Sequence, residues 1–435
     1  MKKINILVIG SGGREHAIVR TLNKSESTNK IFCLPGNPGI SKISNCVNLD
    51  LKNNSEIIQF CKNSEIDLVV IGPEQPLADG LSDVLQNENI NVFGPSKFAA
   101  QLETSKSFAK DFMKKYKIPT AKYSTFTISN TNFLIEFENA KKYIDEMFAP
   151  IVIKADGLAA GKGVVIANSK EEATNTVKEF LEGAFGTASQ TVVIEEFMQG
   201  EEASVFAICD GNDFVVLAPA QDHKRIGDGD TGKNTGGMGS YAPVSIVPQS
   251  VIKKVCEQII QPTLAGMKSD GNPFVGCLYV GLMLENENPK VVEFNVRFGD
   301  PETQAVLSIF KGDFAKLLYS AAIGNIDKTA YSEDFSGVAC CLILASGGYP
   351  EKFETGFEIL GDTYCDDENI IVYHSGTKNI NEKLVTSGGR VLGITAVGDD
   401  VNEAISKAYS KANEINFENK YFRKDIGKKE IERGR

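Results

Sequence analysis

Residues 292–303 read Val-Glu-Phe-Asn-Val-Arg-Phe-Gly-Asp-Pro-Glu-Thr, and this run constrains the chain more than any other stretch. Val291, Val292, Phe294 and Val296 are strand-forming residues. Side chains in a strand alternate with period two, so Glu293, Asn295 and Arg297 share one face. A carboxylate, an amide oxygen and a guanidinium along one ridge suit a phosphate carried by a divalent ion. Glu and Asn offer hard oxygen ligands, and Arg grips the charge beside them. Asp300 and Pro301 read as the N-cap and first residue of a helix whose positive end faces the same region. A half-buried strand with a solvated charged face is the plainer alternative.

A second phosphate signal spans residues 151–166. A β-branched run ends in Lys154, a small-residue stretch with Gly157, Gly161, Lys162 and Gly163 follows, and a second β-branched run returns. The pattern predicts a β-hairpin with a glycine-rich tip, where backbone N–H groups can approach anionic oxygens. It is not a P-loop. Only three residues separate Gly157 from Gly161, Gly163 stands where Ser or Thr should hold the metal, and a strand follows where a helix should. An ordinary glycine-rich turn is the alternative.

Composition narrows the function classes. A formal net charge of −11 argues against a nucleic-acid surface, while leaving room for a local basic pocket. The length of 435 residues suits about two to four domains. No apolar run approaches the ~20 residues of a membrane span, and Ile4–Ile9 is too short for a signal segment. The nine cysteines lack CxxC spacing, so reduced structural thiols in the cytoplasm are expected. The three histidines, at 16, 223 and 374, have no paired spacing for zinc.

Strand-like and helix-like runs alternate at the start: Asn5–Ile9, Arg14–Asn23, Ile31–Leu34, Leu68–Ile71 and Val92–Phe93. This rhythm predicts a parallel sheet with ligands at the carboxyl ends of its strands. A dinucleotide fits poorly, because Gly10-x-Gly12-x-x ends at Glu15 and strand two runs into Leu34-Pro35-Gly36 without an acidic ribose clamp. A phosphate at the helix N-terminus is expected instead. Thr104 reads as the cap of a helix through Tyr116, with Phe108, Phe112 and Tyr116 inward. A small lid follows, with helices near 130–147 and 170–182 behind the glycine hairpin. The larger body holds a long glycine-rich loop, 227–239, and a helix from Ser250 to about Ile260. Beyond residue 326, mixed strands lead to a helix opened by the capping box Asp400-x-x-Glu403. The polar tail Gly427–Arg435 is expected to fray.

Together with the run from Val192 to Ser204, these segments resemble the ATP-grasp superfamily and, within it, the phosphoribosylamine–glycine ligase family. The resemblance runs nearly the whole length. It includes Gly10-Ser11-Gly12-Gly13-Arg14-Glu15-His16, Pro35-Gly36-Asn37-Pro38-Gly39, Gly72-Pro73-Glu74 and the long run from Leu217 to Gly239. Near the end it includes Leu344-Ala345-Ser346-Gly347-Gly348-Tyr349-Pro350 and Thr386-Ser387-Gly388-Gly389-Arg390-Val391. It implies an α/β and α+β multidomain chain with an ATP-grasp fold. An N-terminal Rossmann-like preATP-grasp sheet would span 1–103, a small ATP-grasp subdomain or lid 104–190, a large subdomain 191–325, and a small mixed α/β C-terminal domain 326–435.

The resemblance also implies a reaction: ATP activates glycine as glycyl phosphate, which 5-phosphoribosylamine attacks to give glycinamide ribonucleotide, ADP and phosphate. This is a step of purine biosynthesis. Lys154 and Arg297 become catalytic, the lysine on the α/β-phosphates and the arginine on the transferring phosphoryl group and the glycine carboxylate. Lys106, Gly161, Lys162 and Gly163 join the nucleotide site. Glu195, Glu196, Phe197 and Met198 form the interdomain hinge whose backbone groups read adenine, and Glu202 takes the ribose, with Glu201 as rival. Glu293 and Asn295 hold Mg²⁺ or Mn²⁺. Val280-Gly281-Leu282-Met283 offers no further acid, so ATP itself must complete the coordination. Gly10, Gly12, Gly13 and Arg14 form a phosphate cradle for the ribonucleotide, Glu74 accepts from ribose hydroxyls, and Asn37 assists. Asp222 and Lys224, with Arg297, complete the substrate site. His223 is either a base for the amine or a loop histidine with a structural hydrogen bond.

Expected partners are the small-molecule substrates ATP, glycine and 5-phosphoribosylamine, with no nucleic acid and no membrane. A monomer is expected, with transient handover of the labile amine from the upstream amidophosphoribosyltransferase. One competing reading is another ATP-grasp purine ligase using a different acid, which the run Gln221–Met238 and Gly72-Pro73-Glu74 oppose. The other is a non-catalytic nucleotide-binding regulator. That should have lost one of Lys154, Glu293, Asn295 or Arg297, and all four are present.

Overall fold

The computed structural model describes residues 3–128, 132–157, 163–184, 186, 190–335 and 337–434. Apolar β-branched residues build the first sheet. Ile4–Gly10 is buried along its whole length, as a parallel strand covered by helices must be. It pairs in parallel with Thr28–Pro35 on one side and Leu68–Ile71 on the other. Asn45–Cys46 and Val92–Phe93 form the two edges. Strand order therefore reverses beside Ile4–Gly10, and the helix Gly13–Asn23 starts at that crevice.

The lid is an antiparallel sheet in the spatial order Tyr123–Thr127, Thr191–Glu196, Ile151–Ala155, Val164–Ala167. Helices Phe133–Glu146 and Lys170–Leu181 cover it, burying Ala140, Ile144, Ala173, Val177 and Phe180 against Ile151, Ile153 and Ile194. The glycine hairpin pairs as the sequence predicts, and its tip residues Gly161 and Lys162 lie outside the described residues. Thr191–Glu196 is a central strand here, so this sheet extends past residue 190.

The body sheet runs Phe214–Val216, Glu201–Asp210, Val275–Glu285, Asn288–Asn295, all antiparallel. A bulge at Val292 shifts the register, so that Glu293 pairs with Gly281. A Cβ on Gly281 would lie 3.3 Å from the Glu293 Cγ and crowd it. Gln221–Asp222 and Gly239–Ala242 leave the body and join Val338–Ser346, Arg390–Gly398 and Ile370–His374 in a further sheet. The C-terminal region is thereby welded to the segment that carries Asp222 and Lys224. Helix Val401–Glu414 covers this sheet with Ala404, Ala408 and Ala412 fully buried.

Several local expectations change. Ser105, not Thr104, caps the helix Lys106–Lys115: its Oγ accepts the Phe108 amide at 3.1 Å, while Thr104 ends the short helix Gln101–Thr104. The cap of Glu302–Ser308 is Pro301, one residue later than expected, because the Asp300 carboxylate is committed to Gln304 Nε2 (2.8 Å) and Arg390 (3.3 Å). The 227–239 loop contains much of a two-stranded ribbon, Arg225–Gly227 with Thr231–Asn234. The helix from Gln249 continues through a π turn, Cys256–Ile260, to Ser269. The tail is helical over Lys428–Arg433 and does not fray, because Arg433 pairs with Glu201 and Glu430 and Lys429 pairs with Asp230. All nine cysteines are free thiols. Among the described residues no helix is long and apolar enough to cross a membrane.

Candidate active site

Residues 293–298 alternate as their sequence requires. Phe294, Val296 and Phe298 are buried, while Glu293, Asn295 and Arg297 share the opposite, partly open face. Arg297 is gripped from several sides. Its Nη2 lies 3.0 Å from Glu103 and donates to Asn295 Oδ1 at 3.1 Å, its Nη1 donates to the Phe298 carbonyl at 3.1 Å, and its Nε lies 3.4 Å from Glu74. Glu103 also accepts the Val296 amide at 2.8 Å, so one carboxylate fixes both the strand end and the guanidinium. Sequence reasoning missed Glu103. Burial pushes its carboxyl up, and Arg297 offsets this only in part. Burial pushes Glu74 up as well, but Arg297 and Arg14 outweigh it and hold Glu74 below the ordinary carboxylate range.

Three lysines surround Glu293. Lys224 Nζ lies 2.7 Å from Glu202 and 3.8 Å from Glu293. Lys154 Nζ donates to the Val292 carbonyl at 3.2 Å, and Lys106 Nζ donates to Gly157 O at 3.2 Å. Burial would push the Glu293 carboxyl up, yet Lys224, Lys154, Lys106 and Arg297 outweigh it and keep its pKa low. Burial lowers Lys106 despite Glu293, whereas for Lys224 the carboxylates of Glu202 and Glu293 overcome burial and raise it well above its ordinary value. Asp156, at the base of the hairpin, accepts the Ser107 amide at 2.6 Å and so joins the lid to the N-terminus of the Lys106 helix.

Glu195, expected at adenine, is buried between Lys154 and Lys110, 2.9 Å from each. Its side chain is therefore a counter-charge for lysines, a role the sequence did not suggest. The Glu196 carboxylate accepts the Lys122 amide at 3.0 Å. Phe197 is exposed and Met198 half-buried, with Gly163 at the far end of the hairpin, where its carbonyl accepts the Ala155 amide at 2.8 Å.

Asp222 and Lys224 point away from His223, as alternation demands. Asp222 Oδ1 is buried without a hydrogen-bond partner, facing the Gly237 backbone; a Cβ on Gly237 would lie 2.8 Å from it. Burial and the nearby Glu302 raise the Asp222 pKa well above the ordinary range. His223 is packed on the other side against Tyr241, 2% exposed, and burial beside Arg423 pulls its pKa down to about 4. The structure turns His223 away from the face that carries Lys224 and leaves both of its ring nitrogens buried without a hydrogen-bond partner, so the structural hydrogen bond expected of it is not made.

The N-terminal loop is more occupied than expected. Gly12 N already donates to the Glu15 carboxylate at 2.6 Å, so this amide is not free for phosphate. Glu15 packs against both Gly10 and Gly72, where a side chain would collide with it. Gly13 allows close approach of Gln304 and Ser375. Arg14 pairs with Glu15 and donates to Phe298 O at 3.1 Å, which brings it beside Arg297. Asn37 does not reach an open surface: its amide nitrogen donates to Ser11 O and His374 O, and its oxygen accepts the Ile40 amide. Two motifs of the C-terminal region converge on the same place. Tyr349 OH accepts the Gly236 amide at 3.0 Å, and Arg390 Nη1 donates to Gly236 O (2.6 Å) and Asp300 O (2.8 Å).

The ridge suits a divalent cation by its donor set: a carboxylate kept ionised and a neutral amide oxygen two residues away. No group of three or more His, Cys, Asp or Glu able to hold a metal occurs among the described residues. A cation at Glu293 and Asn295 would therefore take further ligands from phosphate and water, as Mg²⁺ commonly does.

The sequence matches the N domain of phosphoribosylglycinamide synthetase over residues 4–103, its ATP-grasp (A) domain over 104–303 and its C domain over 339–429. The chain belongs to the phosphoribosylglycinamide synthetase family. Within that family, the phosphoribosylamine–glycine ligase of Agrobacterium fabrum is 45% identical over 430 residues, covering 99% of both chains. The bifunctional purine biosynthetic protein PUR2,5 of Pichia angusta is 46% identical over 432 residues, and the present chain spans 54% of its length. The crystal structure of the Thermotoga maritima phosphoribosylamine–glycine ligase is similar at a TM-score of 0.83 and 35% identity, covering 97% of this chain and 100% of that one. The biotin carboxylase domain of Hydrogenobacter thermophilus 2-oxoglutarate carboxylase, in complex with MgADP and bicarbonate, shares the fold at a TM-score of 0.72 and 15% identity, covering 97% and 92%. Phosphoribosylglycinamide synthetases are ATP-grasp ligases, so ATP and a divalent metal belong to the family's chemistry.

Proposed function

We propose that the chain uses ATP to join glycine to 5-phosphoribosylamine, giving glycinamide ribonucleotide, ADP and phosphate. The observation that carries this reading is the ridge Glu293–Asn295–Arg297 facing Lys106, Lys154 and Lys224, within a chain matched along its length by ligases of that name. The physical problem is to bring the glycine carboxylate against a polyanionic triphosphate. A Mg²⁺ or Mn²⁺ ion held by Glu293 and Asn295 would offset phosphate charge when bound.

In the first step a glycine carboxylate oxygen bonds to the γ-phosphorus as its bond to ADP breaks. Arg297 is assigned to that group, and its contacts with Glu103 and Glu74, which hold the guanidinium, support the assignment. Lys154 and Lys106 are assigned to the α/β-phosphates, and so is Gly163; Gly161 and Lys162, assigned with them, lie outside the described residues. The backbone of residues 196–198 is assigned to adenine, with Phe197 against the ring, and Glu202 to the ribose. In the second step the amine nitrogen bonds to the glycyl carbonyl carbon, phosphate leaves, and the nitrogen gives up a proton. Asp222, whose Oδ1 has no hydrogen-bond partner, is assigned as the acceptor of that proton. Arg14, Glu74, Gly10 and Gly13 are assigned to the ribonucleotide, the Gly12 amide being taken by Glu15.

The test is a mass-spectrometric product assay with Mg·ATP, glycine and phosphoribosylamine made in place, each omitted in turn. Glycinamide ribonucleotide and ADP should form only in the complete mixture. ATP binding without product, where a known ligase works, would favour a nucleotide-binding regulator. The lability of phosphoribosylamine motivates a further proposal, that a monomer receives it directly from the amidophosphoribosyltransferase. No gain in product rate on adding that enzyme would count against the handover.

A further inference from the structure

We propose that Lys110 is a positioning residue for the nucleotide phosphates, acting on Lys154 through Glu195; this rests on the assignment of Lys154 to those phosphates. Glu195 is 2% exposed and forms ion pairs at 2.9 Å with two ammonium groups, Lys110 on the helix Lys106–Lys115 and Lys154 on the hairpin strand. Lys110 is fixed from a second side, its Nζ donating to Thr120 Oγ1 at 2.8 Å. Thr120 in turn donates to the Val291 carbonyl at 2.7 Å, and the next carbonyl, Val292, takes Lys154 Nζ at 3.2 Å. The two lysines, the carboxylate and the strand that carries Glu293 thus form one closed frame.

The charge of the frame is what matters. Glu195 and Lys154 alone would be a neutral buried pair, offering little attraction to phosphate. Two lysines and one carboxylate leave a surplus of one positive charge in a poorly solvated place, where charges act strongly. Lys110 therefore frees Lys154 to serve an anion, without touching that anion itself.

The groups facing Lys110 come from each neighbouring element: Glu195 and Glu196 from the central lid strand, Lys154 from the hairpin, and the Tyr123 ring at 5.8 Å, whose hydroxyl donates to Asp111 at 2.7 Å. Burial lowers the Lys110 ammonium, Glu195 opposes this and Lys154 adds to it, and the result is about 8. The surplus charge is present below that pH and is lost above it.

The test measures binding of Mg·ADP and of adenosine, which lacks phosphates, to the full chain by calorimetry. Lys110→Met should weaken Mg·ADP by about tenfold or more, the scale of one lost charge contact, and leave adenosine unchanged. Wild-type affinity for Mg·ADP should fall between about pH 7.5 and 9.5, and Lys110→Arg should keep the affinity and lose the fall. If Lys154→Met weakens Mg·ADP while Lys110→Met binds it as wild type does, the inference fails. If Lys154→Met binds Mg·ADP normally, the assignment of Lys154 fails first. Should Lys110→Met not fold, Lys110→Gln carries the same comparison, and wild-type affinity for Mg·ADP in that variant overturns the inference.

Discussion

The Arg297 guanidinium sits 3.0 Å from the Glu103 carboxylate, so a residue from a short helix in the first quarter of the chain aims the arginine of the Glu293–Asn295–Arg297 ridge. Arg297→Ala should cut turnover by ~10²–10³, the loss typical of one preorganised donor. It should also destabilise the fold, because Glu103 is left buried without its cation. The double variant Arg297→Ala/Glu103→Gln should recover thermal stability without recovering turnover. A single variant with normal kcat and intact fold would remove Arg297 from the chemistry.

Asp222 and His223 are neighbours in sequence and face opposite ways. Asp222→Asn should lower kcat about tenfold or more if the carboxylate takes the amine proton, with KM for ATP little changed. His223→Gln should alter stability and leave kcat within about a factor of two. Steady-state kinetics on both variants decides between them, and the reverse pattern would restore His223 as the base.

Much of the site was legible because it is written in local periodicity. Alternation along 293–297 put Glu293, Asn295 and Arg297 together, and the β-branched runs around Gly157–Gly163 defined the hairpin. What sequence could not supply was the partner of each charge. Glu103 meets Val296 across 193 residues, and Lys110 meets Glu195 from another element, with no local pattern to announce either. The choice of Ser105 over Thr104 as cap is similar: both residues cap well, and the Asp156 carboxylate on the Ser107 amide, 49 residues distant, sets where that helix begins. His223 is different. It was read as a loop residue, and pairing of Gln221–Asp222 with Ser240 and Tyr241 is what turns it inward.

Stability should decline as pH falls from about 6.5 toward 4. His223 and His374 are buried, and desolvation first of all pulls each from 6.5 down to about 4. In that window the unfolded chain binds protons that the folded chain refuses, so stability is full above the unfolded value and lost on acidification. Each histidine contributes about 3 kcal/mol by this argument. Asp425 behaves separately: Arg423 overcomes burial to hold it at about 2, so its contribution is lost only below about pH 4. Melting temperature against pH checks this, and His223→Gln should flatten the slope between about 6.5 and 4. An unchanged slope in that variant would mean that burial does not depress the His223 pKa in the fold.

The ridge also makes a claim about metal. Glu293 is the carboxylate that its strand places on the face shared with Asn295 and Arg297, and Lys224, Lys154 and Lys106 hold its pKa low against burial. Glu293→Gln removes the anionic ligand and leaves those lysines closer to an excess of positive charge, which opposes a divalent cation on two counts. The Mg²⁺ concentration for half-maximal rate should rise by at least the ~10- to 100-fold that loss of a mere outer partner brings. Asn295→Asp acts oppositely on the metal, adding a charge, but it also places a carboxylate where Arg297 Nη2 now donates at 3.1 Å. Tighter Mg²⁺ with slower turnover is therefore expected, because the arginine is drawn to the new carboxylate. Initial rates against Mg²⁺ at saturating ATP separate the two effects. A Glu293→Gln enzyme with an unaltered Mg²⁺ requirement would place the cation elsewhere.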